Sequence, residues 1–149
     1  MGEKREATVV LTDDKIHFQS SLRSYPVIDI DYPAPIGTGI GYTSLELFLI
    51  SLASCSGSSV ALILRKMNKS VNGLKVHASG IRKDSHPTCF ETIHLSFNIA
   101  SDNTDDASVE RAIAISEESL CPVWAMIKNN VTVTTDFVIE QKSGETVNV

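Results

Sequence analysis

The sequence predicts an α+β fold in the order βββ–α–ββ–α–α–β, and three observations carry that prediction. Short β-rich runs separated by turn residues fill the first 32 positions. One uncharged stretch, residues 47–64, is apolar and long enough for a buried helix. Alternating strand patterns return after Gly73, interrupted by a second helical segment before the last strand. With 149 residues the chain is the usual size of one domain, taken as 1–149. A domain of this length buries roughly 68–70% of its unfolded surface, enough for a core without metals or disulfides.

The elements follow in chain order. Residues 7–12, 15–20 and 27–32 read as three strands, and Thr12-Asp13-Asp14-Lys15 as a tight turn that makes the first two a hairpin. Residues 33–41 are too rich in Pro and Gly for regular structure. The long helix covers about 44–68, and Thr43 with Glu46 three positions later forms a capping box at its start. Strands at 75–83 and 90–100 flank a loop containing His86-Pro87. A second helix begins near Asp105-Asp106, whose charges suit the positive end of a helix dipole. Val109, Ala112, Ile113, Ser116 and Leu120 mark its inner face, and Cys121-Pro122 interrupts it. Residues 123–129 read as a short helical continuation and 131–140 as a final strand.

Composition excludes several function classes. Hydrophobic residues make up 42% and charged residues 21%, which excludes a disordered chain. Lys and Arg total 13 against 18 Asp and Glu, a net charge of -5 with no basic run, so nucleic acid is not an expected partner. Residues 47–64 meet the length criterion for a membrane span, but six of the 18 are Ser or Gly. That polar load points to a helix enclosed by protein rather than lipid. The charged amino-terminal residues lead into no signal-peptide core, and the three cysteines lack any C-x-x-C spacing. The expectation is a cytoplasmic protein with reduced thiols and no metal site; His17, His77, His86 and His94 show no zinc spacing.

The cysteines are the candidates for chemistry. Cys55 lies mid-helix among small residues, where a thiol serves either as apolar filler or as a reactive group. Cys121 precedes Pro122, a residue favoured at the first helical position, so Cys121 falls at a helix N-cap. There free N–H groups stabilise a thiolate, unless the residue merely precedes a kink. Cys89 lies in a loop and reads as incidental. Gly37-Thr38-Gly39-Ile40-Gly41 precedes the capped helix and offers room for an anion, but it matches neither phosphate-loop pattern and reads as a flexible loop. Trp124, one turn past Cys121, is a core residue or a pocket wall.

Taken together, the segment Ser44-Leu45-Glu46-Leu47-Phe48-Leu49-Ile50-Ser51-Leu52-Ala53-Ser54-Cys55-Ser56 resembles the first cysteine helix of the OsmC/Ohr family. Ser119-Leu120-Cys121-Pro122-Val123 resembles that family's second cysteine motif. The likeness extends through Phe90-Glu91-Thr92-Ile93-His94-Leu95 and Val131-Thr132-Val133, about two thirds of the chain, and points to the YhfA-like branch. The resemblance implies an intertwined homodimer with a long buried central helix, acting as a thiol-dependent peroxidase on organic hydroperoxides. It implies that Cys55 attacks the peroxide and becomes a sulfenic acid, that Cys121 resolves it as a disulfide, and that an external dithiol protein of the lipoyl type restores both thiols. No bound cofactor is implied.

The chain departs from the family pattern near the first cysteine. Ser44 stands where the helix commonly opens with Pro, and Leu45 where the family's Glu follows it. Glu46 comes one residue later, about 100° around the helix. It reads as a capping residue, with a supporting role at the thiol as the alternative. The amino-terminal Arg motif is missing, and Arg23 is the nearest candidate by region, otherwise a solvated turn residue. These departures keep two further readings open, a non-enzymatic small-molecule-binding protein and a thiol redox sensor. Position alone nominates Cys121 as the nucleophile instead, since it has helix-terminal donors whereas a mid-helix thiol in apolar surroundings has its pKa raised.

Overall fold

A computed structural model describes residues 2–141, whose contacts divide into two units, one up to Phe48 and one from Leu49 onward. In the first unit, β1 (Thr8–Leu11), β2 (Phe18–Ser21) and β3 (Asp29–Ile30) form an antiparallel sheet in that order. Leu11 pairs with Phe18, and Phe18 with Ile30. The β1–β2 link is wider than the tight turn expected at Thr12 to Lys15. The Asp13 carboxylate accepts from the N–H groups of both Lys15 and His17, each at 3.0 Å, and the Thr12 N–H reaches the His17 carbonyl at 2.9 Å. An Asp side chain that captures two amides stabilises a longer loop than a four-residue turn. The His17 ring is buried and bridges Thr12 Oγ1 at 2.7 Å and Asp29 Oδ1 at 2.8 Å.

Residues 33–41 are ordered around one buried carboxylate. Asp31 accepts from the N–H groups of Tyr32 (2.8 Å), Thr38 (3.0 Å) and Ile40 (3.3 Å) and from the Thr38 hydroxyl at 2.8 Å. Burial pushes its carboxyl up, but these donors outweigh burial and hold it well below the usual range. A Cβ on Gly37 would run into that carboxylate, and Gly39 has φ +74°, so both positions require glycine. The flexible loop with room for an external anion is therefore corrected. Its Thr38 and Ile40 amides are already held by an internal anion.

Helix α1 (Ser44–Lys66) begins with the expected capping box: the Glu46 N–H donates to Thr43 Oγ1 at 3.2 Å, and the Thr43 N–H to Glu46 Oε2 at 2.7 Å. It ends in a Schellman motif, with Asn68 at φ 59°, Lys69 N–H on the Leu64 carbonyl (2.9 Å) and Asn68 N–H on the Arg65 carbonyl (3.0 Å).

In the second unit, β4 (Gly73–Arg82) pairs antiparallel with β5 (Phe90–Ala100), and β5 pairs parallel with β6 (Thr132–Glu140). A parallel pair needs a long crossover. Here it consists of α2 (Asp106–Ile115), a π-helical turn at Ser116–Leu120, and α3 (Pro122–Ile127). Asp105 caps α2 by accepting from the Ser108 N–H at 2.8 Å. Ile93, Leu95, Phe97 and Ile99 alternate into the core, joined by Leu52, Val60, Leu64, Val109, Ala112 and Trp124. His94 lies on the opposite face of β5, bonded to Thr134 and Asp136. A Cβ on Gly57 would come to 3.0 Å from Val76 Cγ2, so the missing side chain lets α1 pack closely on β4. Half of the apolar window of α1 is buried, as in the core helix of a soluble protein.

Leu120 corrects the expected inner face of the second helix. It is 48% exposed, whereas Val109, Ala112, Ile113 and Ser116 are buried. In an α-helix, Leu120 would stack over Ser116 one turn later. The π winding instead returns at the fifth residue, and the Cys121 N–H bonds the Ser116 carbonyl at 2.9 Å. One extra residue is absorbed, and Cys121 rather than Leu120 turns inward.

Candidate functional site

Two elements of the second unit bring Cys55 and Cys121 together. α1 carries Cys55 on a half-buried flank and Ser56 on its fully buried face. The π-helical turn delivers Cys121, only 2% exposed, in an extended conformation (φ -83°, ψ 105°) at the N-cap of α3. Pro122 occupies the first helical position, where no N–H is needed. The amides that follow face sulfur: the Trp124 N–H donates to Cys121 Sγ at 3.4 Å, and the Val123 backbone pulls the Cys55 thiol down.

Ser56 completes the group. Its hydroxyl lies 3.6 Å from Cys121 Sγ. Cys121 also lies near enough to Cys55 to push that thiol up. Neither Ser56 nor the Val123 amide is legible in the sequence, because neighbouring serines fill the same block and an amide direction depends on the helix interruption before it.

Electrostatics distinguish the two thiols. Burial pushes the Cys55 thiol up, the Val123 N–H pulls it down, and the hydrogen bond and charge of Cys121 push it up further. A negative charge on Cys121 therefore suppresses ionisation of Cys55. Access runs the other way, since Cys121 is enclosed and Cys55 is half-buried. Chemically, a thiol and a thiolate sharing one proton can open as a nucleophile and close as a disulfide.

The other candidates lie elsewhere. Glu46 is engaged by the capping box. Arg23 is an exposed turn residue at φ 53° whose guanidinium bonds the Tyr25 hydroxyl and sits 5.6 Å from that ring's centre. Cys89 is exposed. Leu52, Trp124 and Ile127 are core residues, although Trp124 also borders a cavity of about 380 Å³ with Glu117, Lys128 and Thr132. Among the described residues, no group of three or more His, Cys, Asp or Glu is placed to hold a metal ion.

Comparison with known proteins agrees with this architecture. A family model described as OsmC-like protein matches residues 37–136. Protein YhfA of Escherichia coli is 30% identical over 95 residues, covering 64% of this chain and 71% of that protein. The crystal structure of an OsmC-like protein from Mycoplasma pneumoniae superposes with a TM-score of 0.80 at 20% identity, over 93% of this chain and 99% of that one. The organic hydroperoxide resistance protein OhrB of Bacillus subtilis shares the fold at a TM-score of 0.62 and 18% identity, over 89% of this chain and 96% of its own.

Proposed function

This chain belongs to the OsmC-like protein family, and on that premise we propose that it is a cytoplasmic, thiol-dependent peroxidase that reduces organic hydroperoxides to alcohols. The observation that carries the reading is the approach of Cys55 on α1 to Cys121 at the N-cap of α3, near enough that Cys121 pushes the Cys55 thiol up. The half-buried Cys55 sulfur attacks the terminal oxygen of R–OOH and becomes a sulfenic acid. Cys121 condenses with it to a disulfide, and an external dithiol protein of the lipoyl type restores both thiols. Fold similarity to a protein named for organic hydroperoxide resistance supports the substrate class. The working form is a homodimer.

Treating the reduced protein with one equivalent of cumene hydroperoxide and mapping its peptides tests this directly. The expected product is a Cys55–Cys121 disulfide with Cys89 unmodified. Oxidation confined to Cys89, or spread equally over all three cysteines, would contradict it.

A second reading, a small-molecule-binding protein or thiol redox sensor on the same fold, is favoured by the commitments of Glu46 to the helix cap and Arg23 to Tyr25. Retention of a ligand without turnover would identify the binder, and oxidation-dependent exchange of protein partners the sensor.

A further inference from the structure

We propose that α3 is a redox-gated helix: forming the Cys55–Cys121 disulfide withdraws the sulfur that caps it, its first turn opens, and the enclosed Cys121 becomes accessible to the dithiol that restores the pair. This rests on the peroxidase reading and deepens it by assigning how the spent protein admits its reductant.

The cap of α3 is made of a reacting atom. A helix leaves its first amides without partners of their own, and a side-chain acceptor at the N-cap supplies one. Ser, Thr, Asp or Asn ordinarily stands there; in α3 the acceptor is Cys121 Sγ, 3.4 Å from the Trp124 N–H. The Ser56 hydroxyl, one residue past Cys55 on α1, lies 3.6 Å from the same sulfur. Bonding that sulfur to Cys55 turns it toward α1 and away from the Trp124 amide, which is left without its partner.

Little else holds the segment. α3 is six residues long; it buries Trp124 and Ile127 and leaves Met126 74% exposed. Among the described residues, the Trp124 indole N–H and the hydroxyl of Ser116, in the π-helical turn before α3, are buried without a hydrogen-bond partner. Each such group costs stability. A short helix carrying these costs opens locally while the sheet beneath it stays folded.

The opening matters because Cys121 is only 2% exposed, so a dithiol protein cannot reach it while α3 is closed. With the first turn open, one thiolate of the dithiol attacks Cys121 Sγ. A new S–S bond forms, the Cys55–Cys121 bond breaks, and Cys55 leaves and takes a proton from solvent. The second thiolate of the dithiol then attacks the first, closing the reductant's own disulfide and releasing Cys121, which is also protonated. Two electrons have passed from the dithiol to the pair, and the restored Cys121 thiol caps α3 again.

Amide hydrogen exchange, read by mass spectrometry on full-length protein carrying Cys89→Ser, tests the gate. The protein is compared reduced and after oxidation by cumene hydroperoxide or by diamide, with peptide mapping to identify the disulfide. Exchange in the peptide covering α3 should accelerate by about two- to fivefold on oxidation, with β5 unchanged. Cys121→Ala, which removes the cap, should exchange at the fast rate already when reduced. Cys121→Ser, which puts a hydroxyl cap in its place, should stay slow with and without oxidant. Brief treatment of the oxidised protein with cysteamine, quenched in acid, should leave the mixed disulfide on Cys121.

Equal exchange in the reduced and disulfide forms would overturn the proposal, as would capture of cysteamine on Cys55 or the absence of the disulfide with either oxidant. A disulfide that forms with diamide and loosens α3, but does not form with cumene hydroperoxide, would overturn the peroxidase reading and leave the gate standing.

Discussion

At the site, two sulfurs with unlike surroundings meet: Cys121 is enclosed and fed by donors, and Cys55 is half-buried and pushed up. Access suits Cys55 to the proposed attack on the peroxide, whereas the burial that pushes its thiol up opposes its ionisation. Cys121→Ser should still form a Cys55 sulfenic acid but without resolution, whereas Cys55→Ser should lose the first oxidation; dimedone labelling with mass spectrometry checks both. Glu46 provides the contrast. Thr43→Ala should cost about 1 kcal/mol of stability by removing the cap, and Glu46→Gln should leave the rate of peroxide oxidation unchanged. A thermal melt and a rate measurement on each variant check this, and a large rate loss in Glu46→Gln would return Glu46 to the reaction. The cysteines themselves were legible in the sequence because each stood in a distinctive setting. Ser56 was not, because nothing local distinguishes it from Ser54 or Ser58.

The elements were legible wherever periodicity and caps spoke together. The capping box, the helix start near Asp105-Asp106 and the alternation of β5 were legible in the sequence and stand in the structure, which adds the Asp105 side-chain cap. Two features did not. The π-helical turn has no period of its own, and an α reading of the same residues places Leu120 inward. The deletion of Glu118 should convert that turn to α winding, carry the Ser116–Cys121 bond as an ordinary i→i+4 pair and still allow a Cys55–Cys121 disulfide. An alanine inserted after Glu118 should rotate Cys121 away and abolish the disulfide, as peptide mapping would show. The loop around Asp31 was illegible for a different reason, since its organising anion precedes it and no residue pattern announces the partnership. Because the Asp31 pKa is lowered in the folded state, its stabilising contribution is complete above the unfolded carboxylate range and is lost as pH falls below about 4 toward the folded value. Amide exchange at Thr38 and Ile40 should therefore accelerate selectively in acid, and Asp31→Asn should remove that pH dependence while loosening the loop at neutral pH.

At the scale of the whole molecule, exposed apolar residues lie in both units. Val9, Val10, Val27, Ile36 and Ile40 in the first unit are more than half exposed, as is Leu62 on α1. The proposed homodimer, burying upwards of about 2,000 Å², is expected to cover such residues. Sedimentation at low micromolar concentration should show a stable dimer, and a stable monomer would contradict the assembly. The central claim is that the paired thiols reduce organic hydroperoxides. Stopped-flow oxidation of the reduced Cys89→Ser protein by cumene hydroperoxide and by hydrogen peroxide tests it most directly, with the disulfide quantified at the end point. The expected result is faster oxidation by the organic peroxide, one alcohol released per Cys55–Cys121 disulfide, and loss of the fast phase in Cys55→Ser. Equal, slow rates for both peroxides, unchanged by Cys55→Ser, would contradict it.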